Sequence, residues 1–125
     1  MNVQTLLLRQ IHPSWIQNGQ PSSQAFKLSK KDNNLLSVYD GDSITAEDSY
    51  LHYTTTLKYS SASVFGVTTG ECSSCEGLST RNDPQPDSAY HAVIDFSACA
   101  SESIKDRASK TLKNKAIARG CLYQP

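Results

Sequence analysis

A chain of 125 residues with 38% apolar content is sized for one domain with a small core and a polar surface. Its 12 Lys and Arg offset its 12 Asp and Glu, so no global field draws it to nucleic acid or to an anionic membrane. No apolar run nears membrane-spanning length, and Leu6-Leu7-Leu8 is closed by Arg9 too soon for a secretory leader, so the expectation is a cytoplasmic protein with reduced cysteines.

Val3 to Ile11 reads as the first strand. Three adjacent leucines suit a strand buried on both faces, and His12-Pro13 ends it because proline brings no amide donor. A polar connection follows, holding Trp15 as a core plug or as a binding anchor. Gln24 to Leu28 alternates and reads as a short strand. Leu35, Leu36, Val38 and Tyr39 form the next strand, which stops at the turn signal Asp40-Gly41-Asp42.

Thr45, three residues before Asp48, caps a helix whose apolar face is Ala46, Tyr50, Tyr53 and Leu57. His52 lies off that face, where it meets solvent or pairs with Asp48 one turn earlier. Residues 63–69 are rich in β-branched side chains and form a strand. Gly70 to Tyr90 reads as one long irregular loop, with Gly77, Pro84 and Pro86 as breakers. His91 to Phe96 is a strand with His91, Val93 and Asp95 on one face. Glu102 to Arg119 is a helix with an Ile104, Ala108, Leu112, Ala116 stripe, closed by Gly120, and Cys121 to Tyr123 forms a short last strand. The fold class is α+β: one domain over residues 1–125, with a mixed or antiparallel sheet of about five strands and two helices packed on it.

Charge is unevenly placed. Residues 63–100 hold Arg81 against Glu71, Glu76, Asp83, Asp87 and Asp95, whereas residues 101–125 hold six cations against Glu102 and Asp106. An acidic region balanced by a basic helix is the plainer reading, and nucleic-acid binding by that helix, which carries no aromatic residue, the weaker one.

The Cys72-Ser73-Ser74-Cys75 pair has no second pair for a zinc site and leads into a loop rather than a redox helix, so neither metal nor cofactor is expected. Candidate catalytic residues are His12 and His91 at strand ends, with Asp40, Asp42 and Asp95 as acidic partners; a histidine can serve as general base near neutral pH. Each could equally be structural. No nucleophile elbow or phosphate-binding glycine loop is present, and serines are too numerous for spacing alone to pick out a Ser–His–Asp triad.

Arg9, Ser37 and Glu71 resemble the arginine, serine and glutamate of ADP-ribosyltransferase-like folds. That resemblance implies an Arg9 that holds a cofactor phosphate, a Ser37 that orders the site and a Glu71 that stabilises a ribosyl cation. Taken whole, IHPSWIQNGQPSSQAF, LLSVYDGDSITAEDSY and HAVIDF are similar to a family of short, standalone, uncharacterised bacterial proteins over residues 9–123. That similarity implies a bacterial, cytoplasmic, single-domain protein and carries no activity with it. With no specific catalytic motif, the leading expectation is a non-enzymatic module that binds another protein as an accessory subunit. Trp15, Tyr59, Tyr90 and the acidic Glu71 are its candidate contacts. A small enzyme with a His/Asp pocket is the alternative.

Overall fold

The computed structural model describes residues 1–125. Five strands form one antiparallel sheet: β1 (Leu6–Ile11), β4 (Leu35–Asp40), β5 (Ser63–Thr68), β6 (Ser79–Asn82) and β7 (His91–Asp95). Their spatial order is β5-β1-β4-β7-β6. The expected α+β class holds, and the sheet is antiparallel throughout. A small hairpin, β2 (Ile16–Gln17) and β3 (Gln20–Pro21), turns through Asn18-Gly19, both at positive φ, as a two-residue hairpin turn requires. No helix is long and apolar enough to cross a membrane.

Period-two alternation sends the strand side chains to two separate cores. On one face Leu7, Leu36, Val38, Phe65, Val67, Ala92 and Ile94 pack with Ala108, Leu112 and Ala116 of helix α3 (Glu102–Arg119). Three of the four residues of the expected α3 stripe are thus buried, and Ile104 at its start is half-buried. On the other face Leu8, Tyr39 and Val64 pack with Ala46 of helix α1 (Ala46–Leu51) and with Tyr50 and Tyr53. The run of leucines in β1 follows from this position, because Leu7 feeds one core and Leu8 the other.

Four segments differ from the sequence expectations. Gln24 to Leu28 is not a strand: Ser23–Phe26 is a single 3-10 turn. Ala25 and Phe26 are both fully buried, and adjacent residues reach one core only when the backbone coils. The supposed loop from Gly70 to Tyr90 contains helix α2 (Thr69–Ser73) and β6. Reciprocal Thr68 and Glu71 bonds cap α2, and β6 is a polar edge strand with no core face to impose alternation. The first helix changes pitch after Leu51 into a π turn over His52–Thr56, in which the Leu57 amide reaches back five residues to the His52 carbonyl. The expected strand at Cys121 to Tyr123 shrinks to one bridge, Val64 to Tyr123.

β1 and β4 pair only at Leu7 with Asp40 and Leu8 with Tyr39. Beyond that point they part, although β1 stays fully paired with β5 as far as Ile11. The helix on this face covers β5 and β1. The face of β4 and β7 beside it is left open, with a gap at the parting of the strands.

Candidate functional site

That opening is a cavity of about 540 Å³. Its lining includes Arg9 and His12 at the end of β1, Trp15 and Lys27 from the following connections, Ser37 and Tyr39 on β4, and His91 on β7. Tyr53, Leu57 and Tyr59 form the wall from the π turn and its exit. A smaller, more polar hollow of about 330 Å³, between Lys27, Asn34 and Lys105, lacks both aromatic walls and a histidine.

Arg9 lies where the β1–β4 ladder fails. Its Nη1 donates to the Ser37 carbonyl (2.8 Å) and its Nε to the Ala25 carbonyl (2.8 Å), replacing ladder partners lost at the split. The guanidinium also stacks on Trp15, 5.1 Å from the ring centre. No carboxylate pairs with it: none of the chain's close charge contacts includes Arg9. Desolvation pulls its pKa down to about 10, and the opposing pull of Tyr53 and Asp32 does not offset this. The Asp32 carboxylate is already occupied in accepting from the Ser29 amide and hydroxyl.

Ser37, Tyr39 and His91 share one face, since Tyr39 stands opposite His91 in the β4–β7 register. His91 Nδ1 lies 2.8 Å from the Asp83 carbonyl and 3.3 Å from the Asp83 carboxylate. Both are acceptors, so Nδ1 carries the proton, and in a neutral ring Nε2 is the acceptor. The Ser37 hydroxyl sits 3.1 Å from that Nε2 and is exposed to the cavity. Two residues along the strand the same arrangement recurs. His52 Nε2 donates to the Asp87 carbonyl (2.9 Å), leaving Nδ1 to accept from the Tyr39 hydroxyl at 2.7 Å. Burial, with smaller effects from Tyr53 and Asp87, pushes the Tyr39 phenol well above its usual range. The π turn aims His52 inward, so it pairs with Tyr39 rather than with Asp48 or solvent.

The candidate residues therefore separate. His12 and His91 both line the cavity, as do Trp15 and Tyr59. His12 holds the Ser14 hydroxyl and packs against Trp15, with ring centres 5.7 Å apart. Asp40 and Asp42 do not reach it. Asp40 accepts from the Asp42 amide to close its own turn, and Asp42 accepts from the Thr5 hydroxyl at 2.6 Å. Asp95 is also elsewhere, accepting from the Ser97 amide and from Arg81, which hold its carboxyl below the usual range. Glu71 is joined through both oxygens to Arg119, at 2.9 and 3.0 Å, so the Arg9–Ser37–Glu71 layout does not assemble. Tyr90 is exposed outside the cavity lining.

In α3, Arg119 is committed to Glu71 and Lys105 to Asn34 and Glu102, which leaves Arg107, Lys110, Lys113 and Lys115 to present charge. All four cysteines are free thiols, and no three of His, Cys, Asp and Glu gather as metal ligands. Sequence reasoning missed Asp83 and the Tyr39–His52 pair. Asp83 had a readable signal: its turn-forming neighbours Pro84 and Asp87-Ser88 fold residues 83–91 back, and the Asp83 amide donates to the His91 carbonyl.

Comparison with protein-family models, curated proteins and solved structures found no match to this chain.

Proposed function

We propose that the chain binds a small organic anion in the cavity beside β4, with Arg9 as its anchor. The observation that carries this is a half-buried guanidinium with no carboxylate partner on the wall of an open cavity. A charge partly shielded from water is stabilised by an opposite charge, and a carboxylate or phosphate on a ligand would supply it. Arg9 spends Nε and one Nη1 bond on carbonyls; Nη2 has no protein acceptor and is left for a ligand. Trp15, Tyr53, Leu57 and Tyr59 supply apolar and aromatic walls for the body of such a molecule; at the rim Lys31, and Lys27 beside Asp106, stand against Asp32 and Asp87, so Arg9 is the cation left without a partner.

The test is thermal denaturation with inorganic phosphate, adenosine monophosphate, benzoate and citrate as probes. Saturable stabilisation of the wild type by an anion bearing a ring, absent in Arg9→Met, supports the site. An equal shift in Arg9→Met, or no response to any of the four, counts against it.

A partner-protein role is the second reading, and the cavity narrows its content. Trp15 and Tyr59 face the cavity, so a protein would have to offer an acidic side chain or a terminal carboxylate to Arg9 rather than a flat surface. Binding by an acidic peptide but by none of the small anions would favour it. We also propose a bacterial origin and a cytoplasmic setting, on the resemblance noted in the sequence alone.

A further inference from the structure

We propose that Ser37 and His91 form a nucleophile and general-base pair that cleaves an ester of the anion held by Arg9. The choice of substrate rests on the anion site argued above; the pair itself rests on separate geometry. The nucleophile-to-base distance is 3.1 Å, and the base is oriented through its other nitrogen by the carbonyl and carboxylate of Asp83. The imidazole proton is held on Nδ1, because both neighbours of that nitrogen can only accept. Nε2 is therefore the basic atom, and it faces the hydroxyl. Ser37 is exposed to the cavity between two buried neighbours, Leu36 and Val38, so its hydroxyl is set on a rigid strand and is open to a ligand.

Arg9 links the two halves of the site. Its Nη1 bonds to the main-chain carbonyl of Ser37 itself, so a ligand anion held on the guanidinium lies beside the residue that carries the hydroxyl. A substrate with a negative charge and an ester a few bonds apart can touch both.

The steps balance with water as the only co-reactant. Ser37 Oγ adds to the ester carbonyl carbon while its proton moves to His91 Nε2. The carbon–oxygen bond to the alcohol breaks, and the leaving oxygen takes that proton. Water then gives a proton to Nε2 as its oxygen adds to the acyl carbon. Ser37 leaves with that proton, and the products are an acid and an alcohol.

The Tyr39–His52 pair has the same local form but does not carry the same inference. Tyr39 is only 6% exposed, so a ligand has far poorer access to its hydroxyl than to that of Ser37.

The deciding experiment uses a fluorophosphonate probe on the intact chain, with adducts located by peptide mass spectrometry. The pair predicts one adduct on Ser37, none there in Ser37→Ala, and labelling about 100-fold slower in His91→Gln. Ser37 is exposed, so Ser37→Ala retains the fold; circular dichroism checks both variants. No adduct on Ser37, or unchanged labelling of a folded His91→Gln, overturns the pair even where anions stabilise the protein. An adduct on Ser37 in a protein that no anion stabilises upholds the pair and removes the anionic substrate class.

Discussion

Arg9→Met is the most informative single change, because a structural arginine and a ligand anchor predict different outcomes. Methionine keeps the apolar stem and removes the charge. The depression of the Arg9 pKa to about 10 means that the fold disfavours the charged side chain. At about 1.4 kcal/mol per tenfold change, that burden is roughly 3 kcal/mol. Removing the charge relieves it. Against that, the Ala25 and Ser37 carbonyls each lose a charged donor at 2.8 Å, at a cost of about 1.5–3 kcal/mol apiece. Stacking on Trp15 at 5.1 Å contributes about another 0.5–1 kcal/mol.

The terms partly cancel, and the expected net loss is about 2 kcal/mol, in a range of about 0.5–4 kcal/mol. For a chain of this length a loss of about 2 kcal/mol is a fall in Tm of about 8 °C. The assay is urea denaturation, with and without the best anion probe. A loss above roughly 4 kcal/mol, the range for breaking a compensated buried pair, would make Arg9 a structural keystone rather than a ligand anchor. The sign of the pH dependence adds a second check. Arg9 sheds its proton more readily when folded, so its burden is full below the folded pKa. Between that value and the higher unfolded pKa, stability gains from Arg9 as pH rises. This gain is absent in Arg9→Met.

Two other outcomes follow from the charge and thiol chemistry. In Glu71, burial raises the carboxyl pKa, but bonds from Arg119 and Thr68 outweigh it and leave the group below its usual range. Arg119→Met should therefore cost about 1–3 kcal/mol at pH 7, and the share owed to Glu71 should disappear as pH falls through the folded Glu71 pKa, leaving the share of the Arg119 bond to the Gly66 carbonyl at 2.9 Å. Denaturation curves at pH 7 and pH 3 measure this; a deficit undiminished at pH 3 would mean that Arg119 acts through Gly66 and packing rather than through Glu71. Among the thiols, Cys72 is fully buried with its pKa pushed up to about 12, chiefly by burial, whereas Cys121 is exposed. Iodoacetamide at pH 8 should modify Cys121 first and Cys72 only on unfolding, as read by peptide mass spectrometry; early loss of Cys72 would show that α2 opens in the native state.

The amino-acid sequence by itself determined the elements that have a strong period and a hard stop. The α3 stripe, the Asp40-Gly41 turn and the alternation of β7 are each legible because side-chain direction repeats at 3.6 or 2 residues and burial selects for that repeat. It also brought His12, His91, Arg9 and Ser37 into view, as residues of reactive type at strand ends and on central strands. Segments stabilised by particular partners were not legible. Ser23–Phe26 coils because two adjacent side chains enter one core, and β6 pairs through backbone bonds that leave no mark on its polar side chains. Which candidates meet was decided only by the tertiary structure. The early parting of β1 and β4 opens the cavity, places Arg9 in the gap and leaves Ser37 facing His91, while the same fold sends Glu71 to Arg119, Asp95 to Arg81 and Asp42 to Thr5. Strand order and register set those distances, and both come from non-local pairing, to which residue spacing along the chain is blind.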